Sequence, residues 1–270
     1  MTTAVLHLGF RPAKYLAVAR TALRQALAER AAIVGRMAFF FVILLIFSQL
    51  WYVVGEMGAL GELGATEFLW YLALTEWVML SLTPVHLDIE ADVRSGEIAY
   101  RLSRPISYLG GRLAEAAGDC ALRAVTLGIW GFAMAYLLAG SLPKDPSGLL
   151  LALPLGVLAL GLGLLSMAAI GVTAFWLQDC SPVYLVWQKA AFILGGLMLP
   201  LEIYPDWLRQ VADWTPFSAF MYGVGRMSFG FDPVLAGEVA LRLVGWSLLT
   251  TLLLVWMYRR ALRGLEVNGG

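Results

Sequence analysis

The sequence predicts an all-α integral membrane protein with six transmembrane helices, and three observations lead to this fold class. Of its 270 residues, 60% are hydrophobic and 14% are charged, whereas a soluble domain is roughly half apolar and a quarter charged. The apolar residues form runs of about 20 residues, the length at which a helix crosses a bilayer. They do not alternate with polar residues in short segments, as the strands of a membrane barrel would.

Six apolar runs are predicted to span the membrane. The first of them ends in Trp51 and Tyr52, and such aromatic side chains are typical of the boundary between lipid and water. Gly156 and Gly163 in the fourth run predict close packing, because small residues let two helices approach each other. The six predicted spans are 33–54, 66–85, 119–140, 148–176, 183–201 and 239–258.

A basic, amphipathic segment precedes the first span. Residues 12–31 carry several lysine and arginine residues together with an apolar side that includes Leu16 and Leu23. The apolar sequence here is too short to cross a bilayer. The segment is therefore predicted to form a helix that lies in the membrane interface.

The segment from Asp88 to Gly111 is the only long polar stretch between two apolar ones. Gly96 interrupts its helical pattern. Pro105 ends the pattern, because proline has no backbone N–H and clashes with the preceding turn. We expect one or two short helices outside the membrane. Such helices are either solvated connectors or docking elements for a soluble partner.

A second unusual segment, residues 202–238, is rich in aromatic side chains. Pro205 and Pro216 separate short helical patterns that carry Trp207 and Trp214. Neither pattern is long enough to cross a bilayer. They are predicted to lie along the outer interface or to form a re-entrant hairpin.

The distribution of basic residues predicts the orientation of the chain. The segments before the first span, between the second and third, and after the sixth are rich in arginine, which marks the cytoplasmic side. Both termini and residues 88–111 are therefore predicted to be cytoplasmic, and residues 202–238 external. The loop at 177–182 would be cytoplasmic although it has no basic residue. No linker and no tandem repeat divides the chain, so residues 1–270 are predicted to form a single domain.

Two charged residues fall within predicted spans. Glu76 lies near the middle of the second span and Lys189 lies in the fifth, where a lone charge costs about 3 kcal/mol or more. Each is therefore predicted to face a partner, a cavity or another chain. The two would pair if these spans touch, and such a pair would either fix the packing or belong to a transport pathway.

The sequence contains no motif for catalysis, metal binding or nucleotide binding, and its net charge of zero does not indicate nucleic acid binding. The acidic residues between Asp88 and Glu97 are interpreted as a solvated face. A membrane-embedded enzyme that uses Glu76 and His86 as acid and base is an alternative. These two residues lie nearly three turns apart, about 15 Å along a helix, which is too far to act on one bond.

The order of these segments resembles the type-2 ABC transporter permeases, in particular a poorly characterised bacterial subgroup, over nearly the whole chain. After the second predicted span, the matching residues are Glu90, Arg94, Gly96, Glu97, Leu102 and Arg104-Pro105-Ile106-Ser107. After the fifth, they are Leu199-Pro200, Tyr204-Pro205, Trp207-Leu208 and Trp214-Thr215-Pro216.

The resemblance implies a permease subunit of an exporter, without a motor of its own, in the bacterial cell (inner) membrane. A separate cytoplasmic ATPase dimer would bind ATP and magnesium and supply the energy. Two permease chains, identical or different, would enclose the path. The few polar groups in the spans suit a hydrophobic or amphipathic substrate. An assembly or structural membrane protein without transport is the remaining alternative.

The resemblance also implies roles for individual residues. The polar segment would be a coupling helix seated in the ATPase by charge-assisted and apolar contacts. The residues assigned to that contact are Ile89, Glu90, Asp92, Val93, Arg94, Gly96, Glu97 and Ile98. An external hairpin, which either gates or plugs the exit, would include Pro205, Trp207, Trp214 and Pro216.

Overall fold

The structure is a computed structural model that describes residues 12–56 and 64–268, and every regular element in these ranges is a helix. The predicted all-α fold class is therefore confirmed. Five helical stretches have the length and the apolar composition needed to cross a membrane. They are Arg30–Glu56, Ala65–Ser95, Tyr108–Ala139, Gly148–Leu177 and Pro233–Gly264.

The helices are numbered in chain order. They are α1 (Pro12–Ala28), α2 (Arg30–Glu56), α3 (Ala65–Ser81), α4 (Val85–Ser95), α5 (Glu97–Leu102), α6 (Tyr108–Ala139), α7 (Gly148–Val172), α8 (Ala174–Leu177), α9 (Ser181–Leu194), α10 (Asp206–Asp213), α11 (Gly223–Gly225) and α12 (Pro233–Asn268). Single tighter or wider turns lie at Leu201–Ile203, Ser218–Tyr222 and Arg226–Phe229.

The predicted fifth span, 183–201, is not among the five long helices. The helix in this region, α9, has 14 residues, or about 21 Å at 1.5 Å per residue, against about 30 Å of hydrocarbon. It ends at Leu194, with Gly195 as its C-cap, because Gly196 has a φ of +64°, a left-handed conformation that glycine adopts without strain. The glycine pair Gly195-Gly196 inside an apolar run therefore ends the helix, although hydrophobicity alone predicted that it would continue to residue 201.

Helix α3 lies at the centre of the bundle, with nearly all of its residues buried and with α2, α6 and α7 packed around it. The indole of Trp77 fits because α7 presents a glycine to it: a Cβ at Gly156 would lie 2.2 Å from Trp77 Cζ3. A Cβ at Gly163 would lie 2.4 Å from Leu82. The predicted packing role is confirmed for these two glycines, whereas a Cβ at Gly161 in the same run would meet no atom within 4 Å.

Helices α1, α4 and α5 and the C-terminal part of α12 lie together at one end of the bundle, called here the α4 end. The backbone of Ala19 in α1 is so close to α6 that a Cβ at Gly118 would lie 2.1 Å from its carbonyl oxygen. Tyr108, which begins α6, donates a hydrogen bond to Asp92 of α4 at 2.7 Å. The ring of Tyr108 also stacks on Tyr258 of α12, with centroids 6.2 Å apart.

The opposite end, called the Glu67 end, holds the start of α3, the 141–147 loop and residues 226–231. Ser228 Oγ donates to the backbone carbonyl of Glu67 at 3.4 Å. Asp145 accepts a hydrogen bond from the N–H of Phe231 at 2.8 Å. These contacts close the bundle at the end farthest from α4.

The segment between α9 and α12 packs into the bundle and is not a surface loop. Phe217 and Phe220 pack on Trp187 of α9, with ring centroids 6.0 and 5.9 Å apart, and Phe220 also reaches Gly163 of α7. The chain then returns to the Glu67 end, where the carbonyl of Met227 lies against Gly148. The segment thus enters the bundle and leaves it without a helix of spanning length.

Candidate functional site

The polar segment that the sequence singled out forms two short helices at the α4 end. Helix α4 ends at Ser95 and α5 starts at Glu97. Gly96 between them has a left-handed φ of +74°. A non-glycine residue would be strained in that conformation, so Gly96 allows the chain to turn sharply between the two helices. Helix α5 ends at Leu102, before Pro105, as the proline predicts.

Asp92 is the centre of a buried network of charges that joins α4, α5 and α6. Its side chain is 3% exposed. Its Oδ2 lies 2.6 Å from Arg112 Nη2 and accepts the hydroxyl of Tyr108 at 2.7 Å. Its Oδ1 lies 3.2 Å from Arg101 Nε, and Glu115 binds the other side of Arg112 at 2.8 Å. Every member is matched by an opposite charge or a donor, so the three helices are held in one fixed arrangement.

Glu90 ties α4 to the loop that precedes α9. Its Oε2 accepts hydrogen bonds from the backbone N–H and from the thiol of Cys180, both at 2.9 Å, while Oε1 accepts one from Arg94 at 3.2 Å. Burial, and then the neighbouring carboxylate of Glu90, raises the pKa of the Cys180 thiol to about 12. The thiol is therefore protonated at neutral pH and acts as a hydrogen-bond donor.

The other side of α4 packs against α7. Ile89 is fully buried, and a Cβ at Gly171 would lie 2.9 Å from the backbone of His86 and 3.0 Å from Ile89. The imidazole of His86 stacks on Tyr184 of α9, with centroids 4.3 Å apart. Helix α4 is therefore packed between α6 and α7.

The eight residues assigned to the coupling contact divide into two groups in the structure. Ile89, Glu90, Asp92 and Ile98 are buried, and the two acidic residues among them bind within the chain. Exposed residues are Arg94, Gly96 and Glu97, and Val93 is half-buried.

The exposed face of α4 and α5 mixes charge with apolar surface. Tyr100 is 64% exposed and Leu87 is 50% exposed. The guanidinium of Arg104 lies 4.9 Å above the ring of Tyr100, and Glu97 accepts a hydrogen bond from Arg101 at 3.0 Å. This is the composition of a surface that a soluble protein can bind, with an aromatic anchor inside a charged rim.

Sequence reasoning missed Tyr108, Arg112 and Cys180, which hold the exposed face in place. Arg112 could have been suspected, because an arginine close to an apolar span needs a partner. Cys180 gave no signal, since its partner lies 90 residues earlier in the chain.

Glu76 and Lys189 are not paired with each other. Glu76 is buried in α3, with 4% of its surface exposed. Lys189 is exposed on α9, where its ammonium lies 5.5 Å from the ring centroid of Phe192. Among the residues that the structure describes, no ion pair joins the two, and no group of three or more His, Cys, Asp or Glu side chains could hold a metal ion.

The four residues assigned to the external hairpin lie around α10. Pro205 precedes the helix with an extended backbone, which suits a residue at a helix start. Trp207 and Trp214 are 66% and 86% exposed. Pro216 lies between α10 and the turns at 218–229. The two exposed indoles are available to lipid or to another chain.

Comparisons with known proteins bear on this arrangement. The model of a family described as "ABC-2 family transporter protein" matches residues 32–269, so the match includes most of α2 and everything up to α12. Helix α1 precedes the matched residues. A comparison with curated proteins gave no match.

Proposed function

The chain belongs to the ABC-2 family of transporter proteins, and we propose that it is the permease subunit of an exporter that moves a hydrophobic or amphipathic substrate outward. Members of this family are multi-pass membrane proteins that transport and work with an ATP-binding cassette ATPase. The chain is accordingly a transport subunit, and the acid–base hypothesis for Glu76 and His86 is not retained. ATP and Mg²⁺ would be bound by the partner ATPase.

The coupling element of this permease would be α4 with α5. The observation that carries this proposal is the buried pair between Asp92 and Arg112 at 2.6 Å. Separating the two would leave an unpaired buried charge, at about 3–5 kcal/mol. A movement that a closing ATPase imposes on α4 would therefore be passed to the long helix α6, because the pair stays intact.

The division of the assigned residues into a buried and an exposed group fits the role of a coupling element. Exposed Arg94, Glu97 and Tyr100 would make the contact with the ATPase. Buried Glu90 and Asp92 would hold the contact surface on the bundle, which refines their earlier assignment as direct contacts.

A sixth crossing would be made by α9 together with residues 195–201. Helix α9 starts at the α4 end, where Cys180 binds Glu90. Its continuation reaches the middle of α3, where Thr75 donates to the carbonyl of Leu197 at 2.8 Å and Tyr71 donates to that of Gly196. These bonds satisfy the carbonyls of an irregular backbone, which is a requirement inside a membrane.

The α4 end would be cytoplasmic. Most basic residues lie there, including those of α1, α4, α5 and the C-terminal part of α12, as the positive-inside rule requires. Helix α1 would rest on the cytoplasmic leaflet, both termini would be cytoplasmic, and α10 would face the outside. A second permease chain, identical or different, would complete the path in the inner membrane of a bacterium.

The contact is tested by reversing its charges. The variant with Arg94→Glu, Glu97→Lys and Tyr100→Ala is expected to lower permease-stimulated ATP hydrolysis about tenfold or more, because like charges would face each other at the contact. The measurement uses the purified complex with its co-purifying ATPase. Asp206→Lys, an exposed charge reversal on α10, is the matched control and should retain stimulation. Full stimulation in the triple variant would exclude α4 and α5 as the coupling element.

A further inference from the structure

A small cavity of about 170 Å³ lies between α10, residues 218–223 and the first three turns of α12. Gly223 holds α12 against this segment, because a Cβ there would lie 2.6 Å from Val239. The charged residues that line the cavity are Arg209, Asp213, Glu238 and Arg242. Two positive and two negative groups thus face one space.

These four charges are poorly matched with one another. Arg242 Nη1 lies 3.8 Å from Asp213 Oδ1, and both side chains are about half exposed. Within residues 12–56 and 64–268, Arg209 and Glu238 have no ion pair within 4 Å. Glu238 and Arg242 are four residues apart on one helix, a spacing that allows pairing, yet they remain apart.

A close ion pair lies directly beside the cavity and contrasts with these four loosely matched charges. Glu202 binds Arg226 at 2.7 Å and accepts the hydroxyl of Tyr222 at 2.7 Å. The two members of this pair are 34% and 31% exposed, less than Arg242 and Asp213 at 50% and 44%. Arg209 and Arg242 are exposed, so their N–H donors are available to a further group.

The position of Arg242 in α12 also indicates that its charge requires a partner. It lies nine residues after Pro233, about 13 Å along α12 at 1.5 Å per residue. Between residues 233 and 258, only Glu238 and Arg242 are charged, and the stretch has the length and composition of a membrane span. A cation on a helix of this composition must be solvated by water, protein or a lipid headgroup.

We propose that this cavity binds the headgroup of a zwitterionic phospholipid, with its phosphate on Arg209 and Arg242 and its primary ammonium on Asp213 and Glu238. Arginine is the side chain best suited to bind phosphate through paired N–H donors. A carboxylate accepts hydrogen bonds from a primary ammonium, which a trimethylated choline cannot donate. An anionic lipid such as phosphatidylglycerol offers no ammonium, so Glu238 would remain without an ion pair.

The neighbouring surface of α12 suits the acyl chains of such a lipid. Leu241, Leu248 and Leu252 are 75%, 63% and 69% exposed and follow each other at seven and four residues, so they form one apolar stripe that runs from the cavity toward the middle of the helix. The cavity holds the volume of about six waters at ~30 Å³ each, which suits a headgroup while the chains remain outside.

The test measures lipid retention by the full chain. The protein is purified in detergent with equal amounts of phosphatidylethanolamine, phosphatidylcholine and phosphatidylglycerol, and bound lipids are counted by native mass spectrometry. Phosphatidylethanolamine should be retained in preference to the others. Arg209→Gln and Arg242→Gln should each lower its retention about tenfold, since each removes a charged hydrogen bond. Glu238→Gln should lower the preference for ethanolamine over choline.

The controls separate headgroup recognition from other causes. Arg260→Gln makes the same change at an exposed position near the other end of α12 and should retain the lipid. The double variant Arg209→Lys with Arg242→Lys keeps both charges and should retain most of it. Free glycerophosphoethanolamine should displace the lipid, which assigns binding to the headgroup. Equal retention of the three lipids, or unchanged retention in the double glutamine variant, overturns the proposal.

A role for this site in transport rests on the proposed permease function, whereas lipid retention is measured without ATPase or nucleotide. Loss of coupling in the α4 variants with intact lipid retention, or the reverse, therefore shows which of the two proposals fails.

Discussion

At the scale of single residues, Asp92 fixes the geometry of the α4 end. Its buried carboxylate contacts Tyr108, Arg112 and Arg101 from three sides. These partners come from α5 and α6, so one side chain joins three helices. The loss of its charge would leave the guanidinium of Arg112, only 11% exposed, without its closest anion.

Asp92→Asn is therefore expected to lower the free energy of unfolding by about 3–5 kcal/mol, because a buried cation would lose its partner. The measurement is thermal unfolding of the purified chain in detergent. Glu97→Gln is the matched control, because its pair with Arg101 is half exposed and should contribute less than about 1 kcal/mol. Equal melting of the two variants would show that the buried network does not stabilise the α4 end.

At the scale of elements, the attachment of α1 depends on a glycine. The carbonyl of Ala19 lies where a Cβ at Gly118 would be, at 2.1 Å. Backbone cannot move aside as a flexible side chain can, so any larger residue at position 118 must push α1 away from α6.

Gly118→Ala is expected to detach α1 while leaving the bundle of α2 to α12 folded. The measurement is the rate of trypsin cleavage at Arg20 and Arg24, which should rise about tenfold or more if a displacement costs over ~1.4 kcal/mol. Gly111→Ala lies on the same helix with no atom within 4 Å of the added Cβ, and it should cleave at the wild-type rate. Identical cleavage of the two variants would contradict a tight contact between α1 and α6.

The elements also show which features the sequence could predict. The break at Gly96 and the close packing at Gly156 followed from glycine chemistry and were found. The end of α9 was missed, because a hydrophobic profile does not register that Gly196 takes a left-handed conformation. The internal roles of Glu90 and Asp92 were missed for another reason. The sequence of α4 alone does not indicate that its acidic residues Glu90 and Asp92 are buried against partners 90 and 20 residues away.

At the scale of the whole molecule, the apolar pattern of the sequence predicted the long helices, whereas the polar pattern did not predict which residues are exposed. Runs of about 20 apolar residues located five long helices, since length and hydropathy suffice for that. Tertiary contacts with α6 and α7 determine which faces of α4 are buried. The local sequence of α4 does not predict these contacts. The exposed face of α4 and α5, which includes Arg94, Glu97 and Tyr100, could therefore be identified only from the structure.

This exposed face is proposed to lie in the cytoplasm and to be held by the ATPase. The most direct measurement places a single cysteine at Glu97 and cross-links it in the assembled complex. In this chain Cys120 is replaced by alanine and Cys180 by serine, whose hydroxyl can still donate to Glu90. We predict cross-links from position 97 to the ATPase and none from a cysteine at Asp206 on α10. Labelling of position 97 from outside the cell, or ATPase cross-links from position 206 instead, would contradict the account.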